Sequence, residues 1–125
     1  MKNLKKKAWL FLALFALLTL LPLSAAKVKA DEKSPAASGT LGKTKVTYTF
    51  DEESGTLTLS GTGYTPTYSG NDTPFYQCTT IKHIVIEEGV TSLRQWLFYE
   101  LTGVESVSIP STVTSIDRDA FAGTS

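Results

Sequence analysis

From residue 75 onward, apolar side chains return with a period of twenty-three residues. Phe75, Phe98 and Phe121 mark the period, Ile81 returns as Val104, Ile84 as Val107, and Ile86 as Ile109. The run Val90-Thr91-Ser92-Leu93 comes back as Val113-Thr114-Ser115-Ile116. Each period reads as three pieces. A short strand carries Ile84 and Ile86, a second extended piece carries Val90 and Leu93, and a helical turn carries Leu97 and Phe98, matched by Ala120 and Phe121. Asp117 is placed to cap the last turn. Period-two alternation inside each strand sends the apolar residues to one face. A fixed period of this length marks stacked units that bury their apolar sides only against their neighbours. That points to a binding scaffold and away from an enzyme.

A different pattern precedes the repeat. Val46, Tyr48 and Phe50 alternate with Lys45, Thr47 and Thr49, and Leu57 and Leu59 alternate within Thr56–Ser60. Between them lies Asp51-Glu52-Glu53-Ser54-Gly55, so residues 44–60 predict a β-hairpin with a five-residue turn. Residues 64–74, with Pro66, Gly70 and Pro74, predict a loop, the tail of a degenerate first unit. Residues 31–42 are rich in Ser, Ala, Gly, Pro and charge and predict a flexible lead-in with no core to join. The expected fold is mainly β with short helical turns, a hairpin cap over 43–74 leading into a short solenoid over 75–125.

The first thirty residues read as a secretory leader: Lys2, Lys5, Lys6 and Lys7, then an uncharged apolar run from Ala8 to Leu21, then small residues, with cleavage expected after Ala30. An uncleaved membrane anchor is the competing reading of the same stretch. The leader changes the charge balance. All twelve acidic residues lie from Asp31 onward, whereas six of the twelve basic residues lie within the leader, leaving a net charge of minus six. An acidic domain repels phosphate backbones, so nucleic acid is not an expected partner. The lone Cys78 has no internal disulfide partner. It shares a register position with Leu101 and Thr124, which assigns it to the core.

No catalytic set emerges. His83 lies between Lys82 and Ile84 on the outward side of a strand, and no Ser occupies a Gly-x-Ser-x-Gly turn. The acidic groups Asp51-Glu52-Glu53, Glu87-Glu88 and Asp117-x-Asp119 lack the apolar setting that separates the pKa values of an acid–base pair. They also lack the regular ligand spacing of a calcium loop. The expectation is no enzyme, no cofactor and no metal. The outward positions between core residues are the candidate partner-binding surface: His83, Val85 and Glu87 on one strand, aligned with Ser106 and Ser108 on the next. Trp96 and Tyr99 on the turn side join it, because their counterparts one period on are Asp119 and Ala122, so these positions need not be buried. Exposed aromatics of this kind stack on sugars or anchor protein interfaces.

The motif Ile84-x-Ile86-x-x-Gly89-Val90-Thr91-Ser92-Leu93-x(4)-Phe98, and Val107-Ser108-Ile109-Pro110-Ser111-Thr112-Val113-Thr114-Ser115-Ile116-x(3)-Ala120-Phe121 after it, resembles the BspA-type leucine-rich repeat of surface proteins. The run Ser54–Gly63 resembles the segment that often leads into such repeats. Arg94 and Asp117 stand where the family often has Gly, and Leu101 and Thr124 where it often has Cys. The resemblance implies a hairpin cap followed by a leucine-rich-repeat solenoid in a secreted or cell-surface bacterial protein that binds extracellular or host-surface proteins, with glycans as a further class of partner. The residues leave two alternatives open. One is a structural unit that self-assembles through an open C-terminal repeat, or else a truncated, non-functional fragment of a larger surface protein; the other is a carbohydrate-binding accessory module.

Overall fold

The computed structural model describes residues 32–125. The leader and its cleavage after Ala30 fall outside the described residues. Eight strands follow in order: β1 (Ser38–Thr40), β2 (Val46–Asp51), β3 (Thr56–Gly61), β4 (Gly63–Tyr64), β5 (His83–Ile86), β6 (Val90–Leu93), β7 (Ser106–Ser108) and β8 (Ser115–Ile116). They form a five-stranded sheet in the order β1-β2-β3-β5-β7 and a three-stranded sheet in the order β4-β6-β8. β1, β2 and β3 pair antiparallel, whereas β3, β5 and β7 run parallel, as do β4, β6 and β8.

Each repeat unit therefore lays one strand into each sheet and then closes through a turn. His83 pairs with Ser106 and Ser92 with Ser115, the twenty-three-residue period seen in the sequence. One step earlier Thr56 pairs with His83 and Gly63 with Val90, a spacing of twenty-seven residues. The second hairpin strand is thus the first strand of the stack, and stacking begins at Thr56, ahead of Phe75. The surplus four residues lie in the connection leading to Phe75, which contains a short 3-10 turn at Gly70–Asp72. That connection is not wholly a loop. Tyr64 belongs to β4, and Thr65 and Thr73 are buried, with the Thr73 hydroxyl donating to the Leu97 carbonyl at 2.6 Å.

The core forms where the alternation predicts. Val46, Tyr48 and Phe50 of β2, Leu57 and Leu59 of β3, Ile84 and Ile86 of β5, and Val90 and Leu93 of β6 are all buried. Through it runs a column of rings. Phe75 stacks on Phe98 at 6.0 Å, Phe98 meets Phe121 at 5.0 Å, and Tyr48 closes the hairpin end, edge-on to Phe75 at 4.9 Å. Burial pushes the Tyr48 hydroxyl above its ordinary pKa. Cys78 is buried and free, its thiol also pushed up by burial.

The structure departs from the sequence expectations in four further places. The lead-in is ordered from Lys33. Its backbone bonds to Thr79 and Thr80, Ser38–Thr40 extends the sheet, and Leu41 is fully buried. Gly39 lies so close to Tyr48 that an added Cβ would sit 2.8 Å from the ring, so a larger residue there would displace the tyrosine. Asp51 pairs with Thr56, which leaves a four-residue turn, Glu52–Gly55, in place of five. The helical turns are hydrogen-bonded turns without α-helix, and Asp117 closes the last one through its backbone carbonyl, which accepts from Ala120 N–H. Finally, the apolar positions of the last unit lack cover: Val107, Ile109 and Ile116 are 38, 43 and 47 % exposed.

The turns carry a periodicity that hydropathy does not reveal. Gln77, Glu100 and Gly123 share a left-handed backbone, with φ of 55°, 54° and 72°, as do Trp96 and Asp119 at 66° and 63°. These turns also join neighbouring units directly. Trp96, Phe98 and Glu100 N–H groups donate to the carbonyls of Asp119, Ala120 and Ala122. The stack is hydrogen-bonded along both sheets and along its turn side.

Phe98→Ala removes the middle ring of the column and is expected to cost about 3–5 kcal/mol in urea unfolding, a large share of a small domain's stability. Phe121→Ala, at a half-buried site, is expected to cost less than half as much. Gln77→Gly places at residue 77 the glycine found at the equivalent residue 123. A left-handed backbone costs a non-glycine residue about 1–2 kcal/mol and glycine loses about 0.5–1 kcal/mol in chain entropy, so the unfolding free energy is expected to rise by about 0–1.5 kcal/mol. Tyr68, packed against the core, has its hydroxyl pushed up to about 12 by burial. Its protonated form is favoured by folding, so this contribution is complete below pH 10 and is lost as pH rises towards 12. Alkaline unfolding monitored by circular dichroism is expected to shift to higher pH in Tyr68→Phe.

Candidate functional site

Strand alternation turns one face of the five-stranded sheet to the core and the other outward. Cross-strand register sorts the outward residues into rows. One row runs Asp51, Thr56, His83, Ser106; the next Ser38, Thr49, Thr58, Val85, Ser108; a third Thr40, Thr47, Ser60. The face is built mostly of hydroxyl side chains, with His83 and Val85 on its fourth strand and charge only at its rim. Glu87 lies at that rim, where Ser60 Oγ donates to its carboxylate at 2.9 Å. Five strands at about 4.8 Å and rows about 7 Å apart give a patch of roughly 20 by 15 Å.

His83, Val85, Ser106 and Ser108 therefore lie side by side on one surface. His83 Nδ1 is 2.8 Å from Ser106 Oγ, and its Nε2 is 4.0 Å from a Glu105 carboxylate oxygen. The order serine–histidine–carboxylate resembles a nucleophilic triad, but the carboxylate stands beyond hydrogen-bond length and the group sits on an open strand face. Such a site does not hold an imidazole rigidly or shield a developing oxyanion. Hydrogen bonding and shape recognition are what this face offers.

Trp96 and Tyr99 lie apart from that sheet, in the turn after β6. Tyr99 stacks on Tyr76 at 5.8 Å with the rings 12° apart, and Trp96 meets Tyr99 edge-on at 4.7 Å. Lys33 Nζ lies 5.3 Å from the Tyr76 ring centre. The Glu100 carboxylate beside the Tyr99 hydroxyl raises its pKa, and Glu100 also accepts from Gln77 Nε2 at 3.2 Å. Lysine, two tyrosines and tryptophan thus form a short stack that uses its own ring faces. Both aromatics are half-buried.

Ser60, Thr49 and Thr58 belong to the outward face but escape a reading of the repeat alone. Their alternation was visible; that the hairpin shares a sheet with the repeat was not. Among the described residues, no cluster of three or more His, Cys, Asp or Glu side chains is arranged to hold a metal ion. The acidic hairpin tip is satisfied internally: Ser54 Oγ donates to Asp51 at 2.6 Å and holds that carboxyl below its ordinary pKa. Among the same residues no helix is long and apolar enough to cross a membrane.

Known proteins bear on this geometry. A family model described as a BspA type leucine-rich repeat region of six copies matches residues 67–125. A crystal structure of a leucine-rich repeat protein from Eubacterium ventriosum superposes with a TM-score of 0.64 at 30 % identity, covering 70 % of this chain. The chain spans 23 % of that protein's length. No curated protein matches. The repeats seen first as an echo of phenylalanines, folded here as parallel strands in two sheets, belong to the BspA-type leucine-rich repeat family.

Proposed function

We propose that the chain is a secreted or cell-surface bacterial module that binds extracellular or host-surface proteins through the outward face of its five-stranded sheet. One observation carries the reading: hairpin and repeats merge into a continuous surface with charge only at its rim, whose middle row crosses all five strands. Adhesion agrees with the family, and export with the basic, apolar start of the sequence. No catalytic role is assigned, because the one Ser–His contact stands on an open face. The patch covers roughly 300 Å², well short of the ~800 Å² per partner of a stable protein interface. A single module is therefore a weak binder, and adhesion arises from many copies acting together.

The exposed Val107, Ile109 and Ile116 favour a second reading. They are the equivalents of Ile84, Ile86 and Leu93, which the next unit buries, so this end fits a further unit of the same kind, whether from the same chain or another. The aromatic stack lends less support to glycan binding, since its rings already face one another.

Surface-plasmon measurements on residues 31–125, flowed over immobilised extracellular-matrix proteins, are expected to show saturable, micromolar-or-weaker binding. Val85→Arg and Ser108→Arg are expected to abolish it while leaving the unfolding free energy within about 0.5 kcal/mol. Absence of saturable binding to any matrix protein would overturn the adhesion reading. Light scattering on the same preparation addresses the second reading, which a folded monomer at micromolar concentration rules out as self-association.

A further inference from the structure

A groove at the other sheet has chemistry unlike the rest of the molecule. It has a volume of about 430 Å³ and is lined by Lys43, Thr44 and Lys45 on one side and by Thr62, Gly63 and Tyr64 on the other. The second wall contains β4, an edge strand whose one neighbour is β6. Gly63 and Thr65 N–H groups donate to the carbonyls of Gly89 and Ser92, across that pairing. Because successive residues of a strand turn their backbone groups to opposite edges, the Tyr64 N–H and C=O are directed away from β6, the side on which an added strand pairs.

The groove is also where positive charge gathers. Six basic side chains lie beyond the leader, against twelve acidic ones. Lys43 and Lys45 line the groove, and the Arg94 guanidinium lies over the Tyr64 ring at 5.0 Å, so half of the basic residues of the region surround one tyrosine. None of the three has an ion-pair partner among the described residues. The Arg94 Nε is buried with no hydrogen-bond acceptor, and Tyr64 is 56 % exposed. Gly63 has φ of +91°, and a Cβ built there would meet nothing within 4 Å, so the glycine leaves open space beside the strand edge.

We propose that this groove binds an extended acidic peptide segment, which adds to β4 as an outer strand and sets its carboxylates against Lys43 and Lys45. The free edge selects a peptide, because a sugar lacks the regular run of N–H and C=O groups that such an edge pairs with. The charges select an acidic one, and within residues 31–125, which carry six basic against twelve acidic groups, they make this groove the place where such a segment meets least repulsion. The edge is two residues long, so backbone pairing supplies register and the charges supply much of the affinity. Binding is therefore weak and salt-sensitive. The site is separate from the outward face of the five-stranded sheet and does not depend on the function proposed for it.

The test is a titration of the 15N-labelled protein, residues 31–125, with a capped eight-residue peptide of alternating glutamate and valine. Parallel titrations use a lysine–valine peptide, the glutamate–valine peptide N-methylated at alternate residues, and a sulfated disaccharide. Amide shifts are expected at residues 43–45 and 62–65 with the acidic peptide, and roughly tenfold weaker binding after Lys43→Glu with Lys45→Glu or after N-methylation. Both lysines are exposed, so the amide spectrum elsewhere is expected to match that of the unaltered protein, which reports that the variant is folded. Three results overturn the proposal: equal binding of the lysine–valine peptide, indifference to N-methylation, or lysine-dependent shifts with the sulfated disaccharide but not with the peptide.

Discussion

The fold depends on the stacking of four rings. Tyr48, Phe75, Phe98 and Phe121 form a single column, and each is separated from the next by the thickness of one structural layer. No unit has enough apolar surface to bury its own phenylalanine. Phe75 and Phe98 are each covered by the layer before and the layer after, whereas Phe121 is covered on one side and only half-buried, so stability is shared between neighbours. The hairpin solves the problem at the first position by supplying a tyrosine from an antiparallel strand, where the repeat would supply a phenylalanine from a turn.

Hydrogen bonding follows the same layering. Parallel strands tie each unit to the next along two sheets, and the turns add a third line from Trp96, Phe98 and Glu100 to the following unit. Short polar side chains reinforce it one period apart, as in Ser92 with Ser115 and His83 with Ser106. The outward face inherits its regularity from this order: its rows are the register of the sheet written in side chains.

Much of this was legible in the sequence. The period marked the units, the alternation marked the buried positions of the hairpin and the first full unit but not of the last, and the coincidence of Cys78 with Leu101 identified a core thiol. What stayed hidden was long-range. That Thr56 pairs with His83 could not be seen, because the spacing there is twenty-seven residues and breaks the echo. The lead-in looked disordered by composition, yet Gly39 is there to pass over Tyr48 and Leu41 enters the core. The left-handed residues were missed because Gln77, Glu100 and Trp96 carry no local mark of that backbone. The candidate surface was half legible: its repeat-borne members were named, while the hairpin's threonines and the groove beside β4 required the fold.

The change in strand direction at the hairpin gives the molecule a polarity. On one side of β3 the pairing is antiparallel, and on the other it is parallel and repeats without change of register. A whole unit inserted into the parallel region would meet on each side the same kind of surface that its neighbours already present to one another. Duplication or loss of one twenty-three-residue block therefore alters the length of the module while leaving its capped beginning intact. The architecture makes copy number a variable that the fold tolerates, and the length of the outward sheet face changes with it.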